Sequence, residues 1–230
     1  MSRINSRAEL LEIAKGLKSY VEAESASGVE DVYSVSRKAK KKDGPKADQL
    51  EPVKKEVFSC KRCPLYKTKT NYVFSDGDPG ARLMFVGEAP GGDEDMQGVP
   101  FVGRAGQLLT KMIEAMGLKR QDVYICNVIK CRPPENRAPL PEEVAACKGY
   151  LLRQIEAVSP KVICCLGKHA AQALLDTEVF ITKIRGKELE FNGTILIPTY
   201  HPAYLLRNPP AKKEVWQDLK KIMKILSEPD

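Results

Sequence analysis

Short apolar runs rich in β-branched residues punctuate the chain at 83–86, 123–129, 162–166 and 195–198. Helical periodicity fills the intervals and the end, over 104–116, 141–158, 168–175 and 211–227. Runs of this length, alternating with helices, predict an α/β fold with a parallel sheet covered on both faces. Glu188 to Phe191, then Asn192-Gly193, then Thr194 to Ile197 predict a hairpin closed by a type I′ turn. Far upstream, residues 6–24 carry an amphipathic stripe of Leu10, Leu11, Ala14, Leu17 and Val21, and Ser6 and Glu9 have capping-box spacing. A polar stretch from about Ser25 to Pro52 separates that helix from the denser sequence and contains the basic cluster 37–42. Its composition suits a flexible linker. The expected division is therefore an N-terminal helix and basic linker over 1–52, and one globular domain over 53–230. No internal repeat is present.

A chain of 230 residues suffices for one α/β domain with a sizeable core. Its net charge of +7 and pI of about 9.0 favour a polyanionic partner. Lys38, Lys40, Lys41 and Lys42 suit nonspecific phosphate contacts, or simply a solvated charge run. No apolar run is long enough to span a bilayer, and no secretory signal opens the chain. A cytoplasmic protein without membrane association, acting as a monomer, is expected.

Seven cysteines without a secretory signal argue against a disulfide framework. Cys126, Cys164 and Cys165 fall within apolar runs and read as small buried hydrophobes. Cys60 and Cys63 form a C-x-x-C followed by Pro64, Cys131 follows a strand, and Cys147 lies in the next helical segment. Four such thiolates can close one tetrahedral site, and both zinc and an iron–sulfur cluster accept the set. A redox C-x-x-C is the rival reading, but this pair does not sit between a strand and a helix.

Two turns stand out beyond the cysteines. Gly87-Glu88-Ala89-Pro90-Gly91 and the stretch from His201 to Arg207 each follow a strand-like run. Loops leaving the carboxyl ends of parallel strands converge on one crevice, so a carboxylate and an imidazole are expected to face a common pocket.

The motifs running from Gly87 to Asp95, from Gly98 to Leu109, from Asn127 to Arg137 and from His201 to Arg207 together resemble the family 4 uracil-DNA glycosylases. The resemblance covers roughly Val57 to Leu226, and residues 1–52 fall outside it. It implies a three-layer αβα sandwich around a four-stranded parallel sheet, a [4Fe-4S] cluster on Cys60, Cys63, Cys131 and Cys147, and removal of uracil from single- or double-stranded DNA. The chain departs from the better-known branch of that superfamily, which has Asp at the place of Ala89 and Tyr at the place of Gly91. Water activation and thymine exclusion therefore cannot be copied from that branch. The basic insertion of a covalently trapping relative is also missing, since Lys130 runs directly into Cys131. Ordinary turnover is expected.

N-glycosidic hydrolysis requires stabilising a departing uracil anion and a sugar with oxocarbenium character. His201 is expected to donate a hydrogen bond to uracil O2 as charge develops there. Glu88 is expected to orient the attacking water and to offset the positive sugar. The Asn127 amide can accept from uracil N3–H and donate to O4, a pairing that cytosine reverses. Phe101, on the resemblance, would stack on the flipped base beside Ala89. Leu205 and Leu206 are candidates for a wedge in the base stack, while Arg207, Lys212 and Lys213 are candidates for phosphate contacts. Asn136 matches a position near the catalytic loop. Against these stand the ordinary alternatives: a structural histidine, a helix-capping Glu88, a core Phe101 and solvated surface charges. Two other functions compete with excision. One is a noncatalytic cluster-bearing nucleic-acid-binding module. The other is a zinc-stabilised nucleotide-binding protein, for which residues 87–91 lack the glycine spacing of a phosphate loop.

Overall fold

The computed structural model describes residues 45–229. The expected helix over 6–24 and the basic cluster over 37–42 lie outside the described residues. Six strands form one sheet in the order β1-β3-β2-β4-β6-β5. They are β1 (Asp76–Gly77), β2 (Leu83–Gly87), β3 (Tyr124–Asn127), β4 (Val162–Leu166), β5 (Leu189–Phe191) and β6 (Thr194–Thr199). The four inner strands, β3, β2, β4 and β6, run parallel, as the periodicity predicts. The sheet is nonetheless larger than four strands, because β1 and β5 add short antiparallel edges. The β5–β6 connection is the expected turn, with Asn192 and Gly193 at φ of 49° and 79°, the signature of type I′.

Every residue of β2 and β4 is buried, so these runs read as continuously apolar rather than alternating. The pleat divides them between two cores. Met84, Val86, Ile163 and Cys165 face one layer, and Leu83, Phe85, Val162 and Cys164 face the other. The first layer is covered by α1 (Lys46–Phe58), α4 (Pro141–Val158) and α5 (Lys168–Leu175). The second is covered by α3 (Arg104–Ala115) and α8 (Lys212–Ser227). Cys126, Cys164 and Cys165 are fully buried, as expected.

Two expectations need correction. The expected linker runs to Pro52, yet α1 occupies 46–58 and buries Leu50, Val53 and Val57 against the core. Its helical start is tied to α4 by the Lys46 ammonium, which donates to the Val158 carbonyl at 2.6 Å, and Arg153 grips Glu56 with both terminal nitrogens. The stretch after His201 is read in the sequence as a loop, but it forms the short helix α7 (Pro202–Arg207). His201 is its N-cap, and Pro202 sits at the first helical position, where no backbone N–H is needed.

Candidate active site and cysteine cavity

Main-chain geometry at the carboxyl ends of the inner strands brings the candidate chemistry together. Gly87 ends β2 and hands the chain to Glu88, Asn127 ends β3, and His201 follows β6 by two residues. One cleft enclosing about 1180 Å³, its mouth included, is lined by Glu88, Ala89, Phe101, Asn127, Asn136, His201 and Arg207. Seven of the residues singled out in the sequence thus share one space.

Gly87 makes the crowding possible. A β-carbon there would sit 2.4 Å from both Asn127 Oδ1 and Phe101 Cζ, so the amide and the ring pack directly against the glycine backbone. Phe101 adopts φ of 55°, a left-handed conformation that costs a bulky residue of order 1–3 kcal/mol and persists only when its surroundings enforce it. Glu94, in α2 (Gly92–Gln97), supplies that enforcement. Its carboxylate accepts from the backbone N–H of Val102 and Gly103, both at 2.9 Å, and of Gly91 at 3.1 Å. A β-carbon at Gly91 would meet this carboxylate at 2.7 Å, so the Tyr of the other branch has no room here while the clamp is intact.

The Phe101 ring lies 5.6 Å from the His201 ring, centroid to centroid. His201 Nδ1 accepts from the Ala203 backbone N–H at 3.1 Å. The imidazole proton therefore belongs on Nε2, leaving one N–H to donate. Burial, and secondarily Arg207, lowers the His201 pKa to about 4, so the ring is neutral at physiological pH. Glu88 moves the opposite way. Desolvation raises its pKa, partly offset by His169 and then Lys168 at the start of α5. Asn127 is 1% exposed, and its Oδ1 has no hydrogen-bond partner. Leaving a buried acceptor unpaired costs about 1–3 kcal/mol, which a bound donor would recover.

The leucines separate. Leu205 is 1% exposed within the core, whereas Leu206 is 38% exposed. Folding of 202–207 into a helix turns Leu205 inward, so it is removed as a wedge candidate and Leu206 remains. Arg207, Lys212 and Lys213 are exposed. Glu94, Arg137 and Tyr204 also line the cleft and were not singled out in the sequence. Neither were the contributions of Lys168 and His169 to the Glu88 environment, although His169 is visible in the sequence at a helix start.

A second, tighter space of about 360 Å³, its open mouth included, lies between α1, α4 and the stretch after β3, and all four candidate ligands line it: Cys60, Cys63, Cys131 and Cys147. Its walls are largely apolar, with Val57, Leu65, Ile129 and three tyrosines. Tyr72 Oη donates to the Cys60 carbonyl at 2.6 Å. The thiols influence one another. Burial first, then Cys147 and Cys63, pushes Cys131 up to about 12, and burial pushes Cys147 up to about 11. Buried thiols that raise one another's pKa resist ionising together unless positive charge joins them. Among the described residues no three His, Cys, Asp or Glu side chains converge tightly enough for a single metal ion. Arg137 pairs with both oxygens of Glu143, at 2.6 and 2.9 Å, so one ion pair links the cleft wall to the cysteine cavity.

A model of the uracil DNA glycosylase superfamily matches residues 74–220. A type-4 uracil-DNA glycosylase of Archaeoglobus fulgidus is 51% identical over 183 residues, covering 76% of this chain and 92% of that protein. Type-4 uracil-DNA glycosylases of Sulfurisphaera tokodaii and Thermotoga maritima are 49% and 52% identical, covering 79% and 69% of this chain and 87% and 84% of theirs.

Proposed function

This chain belongs to the uracil DNA glycosylase superfamily, in its type-4 family of enzymes, and from that premise we propose that the cleft hydrolyses the N-glycosidic bond of deoxyuridine in DNA. The orphaned Asn127 Oδ1 carries this reading, because a buried, unpaired acceptor on a residue that lines the cleft calls for a donor such as uracil N3–H. Cytosine offers an acceptor at that edge and would leave Oδ1 unpaired.

The flipped base enters between Asn127 and His201 with Phe101 against its face. As the bond from C1′ to N1 breaks, its electron pair passes to the base and negative charge gathers on O2. The neutral His201 donates Nε2–H to that oxygen, and its N-cap bond keeps the proton on this nitrogen. A neutral donor suits an anion that leaves without being fully protonated. Glu88, ionised, orients a water toward C1′. The water oxygen bonds to C1′ and its proton passes to the carboxylate, which releases it to solvent; the uracil anion takes up a proton from solvent, so the products are free uracil and an abasic site. Lys168 and His169 support this role by keeping Glu88 within reach of ionisation despite its burial. Leu206 is the side chain proposed to fill the space vacated by the base, with Arg207, Lys212 and Lys213 on phosphates, and Asn136 and Ala89 against the nucleotide.

Cys60, Cys63, Cys131 and Cys147 would hold a [4Fe-4S] cluster. Their burial and mutual repulsion call for bound positive charge, and the likeness to type-4 uracil-DNA glycosylases points to this cluster as its source. When bound, the cluster supplies cross-linking between α1, the end of β3 and α4. The direct test is incubation with an oligonucleotide carrying one uracil, followed by alkali. Strand breakage at the uracil alone is expected; an intact strand under conditions where the protein binds the oligonucleotide would overturn the proposal.

A further inference from the structure

Lys130 is 1% exposed; it lines the cysteine cavity, and its ammonium reaches the main chain of Asn127, which lines the cleft. It donates to the main-chain carbonyl of Asn127 at 2.6 Å and to Gln154 Oε1. The Gln154 amide is itself fixed, donating to the Phe74 carbonyl at 3.2 Å and to Tyr124 Oη at 3.0 Å. The Lys130 main chain accepts from Val73 N–H at 2.8 Å and hydrogen-bonds the Cys147 thiol. Burying an ammonium is expensive unless its donors are met, so a residue needed only to fill this volume would be apolar.

The Asn127 side chain explains what the charge does. Its Oδ1 has no partner in the protein, so nothing polar fixes the oxygen end of the amide. Its aim is set by packing against Gly87 and by the main chain from which it springs. That main chain leaves β3 here, and Lys130 holds the carbonyl at the departure point. We propose that Lys130 is a positioning residue for base recognition, fixing the Asn127 main chain so that the side-chain amide meets the uracil edge. The inference rests on the reading that Asn127 contacts the base. An error of about 1 Å in such a contact lowers the rate roughly 100-fold.

The test is a double-mutant cycle on iron-loaded full-length protein, using Lys130→Met, Asn127→Ala and both together. Single-turnover uracil excision is measured with enzyme in excess, with iron and sulfide per chain determined for each sample. Lys130→Met is expected to lower the single-turnover rate constant roughly 100-fold and to weaken inhibition by free uracil. In the Asn127→Ala background the same change should have almost no further effect, because its route of action is gone. A merely structural role would reduce the reacting fraction and leave the rate constant of that fraction unchanged, which overturns the proposal, as do fully multiplicative effects of the two changes. A harmless Asn127→Ala instead overturns the base-reading premise and is distinguishable on that ground. Should Lys130→Met not fold, Gln154→Met frees one end of the ammonium. A lowered rate constant that vanishes in the Asn127→Ala background then supports the proposal, and an unchanged one overturns it.

Discussion

The cleft and the cysteine cavity are both assembled at the carboxyl end of the same sheet, yet they are built in opposite ways. The cleft gathers Glu88, Asn127 and His201 from three different strand ends, and main-chain atoms fix them: an N-cap bond for His201, close packing on the Gly87 backbone for Asn127, a carboxylate clamp beneath Phe101. It is organised before anything binds. The cysteine cavity draws its thiols from the loop after α1, the stretch that follows β3 and α4, and burial and mutual repulsion oppose their ionisation. Its thiols need bound positive charge before they can ionise together. One region should therefore fail chemically when altered, and the other structurally.

The largest expected effect lies in the second region. Cys147→Ala should abolish iron and acid-labile sulfide together and lower Tm on the order of 10 °C, since several kcal/mol correspond to about 2–4 °C each for a domain of this size. Metal analysis beside a thermal scan checks this. Stoichiometric zinc without sulfide in the unaltered protein would contradict the cluster assignment.

His201→Ala should do the reverse, lowering kcat by roughly 10²–10³, as for loss of an oxyanion donor, while iron content, Tm and DNA affinity stay close to the parent. Parallel kinetics and metal analysis would show whether the two regions really separate.

The pH dependence sharpens the contrast within the cleft. Raised by desolvation, Glu88 loses its proton above the usual carboxylate range, and kcat/KM should rise with pH through that value and then level. His201 protonates only near 4 and does not set this limb. Because the folded state resists charging both groups, the signs for stability differ. His201 destabilises the fold as pH falls from the ordinary imidazole range towards 4. Glu88 destabilises it as pH rises through its raised value. Glu88→Gln should thus erase the acid limb, slow excision, and leave stability at neutral pH equal or higher.

The smallest effect concerns the N-terminal boundary. Removing residues 1–44 should leave excision from a short oligonucleotide unchanged. Extending the cut through 58 strips Leu50, Val53 and Val57 from the core, at about 1.5–3 kcal/mol for each fully buried side chain. Denaturant unfolding of the two truncations separates them.

How much of this was legible in the sequence follows the same division. The inner strands announce themselves because two-sided burial demands unbroken β-branched runs, and the cleft residues follow because loops leave those strands at one end. The cysteine set is visible by residue type, but its shape is not, since its members come from unrelated elements. The α1 boundary stays hidden because only Leu50, Val53 and Val57 of its thirteen residues are buried and Pro52 interrupts the pattern. Leu205 and Leu206 look alike until six residues coil into α7 and send one inward. Glu94 and Lys130 are illegible for a different reason: their key partners include main-chain groups, which carry no sequence signature.

Base choice by iron-loaded Asn127→Asp tests the central claim most directly. Replacing the amide donor with a carboxylate weakens pairing to uracil O4 and offers cytosine N4 an acceptor. Uracil excision should fall steeply while slow cytosine excision emerges at mismatched sites where flipping is easy. Undiminished uracil excision by the folded variant would remove Asn127 from the base-reading edge and contradict the claim.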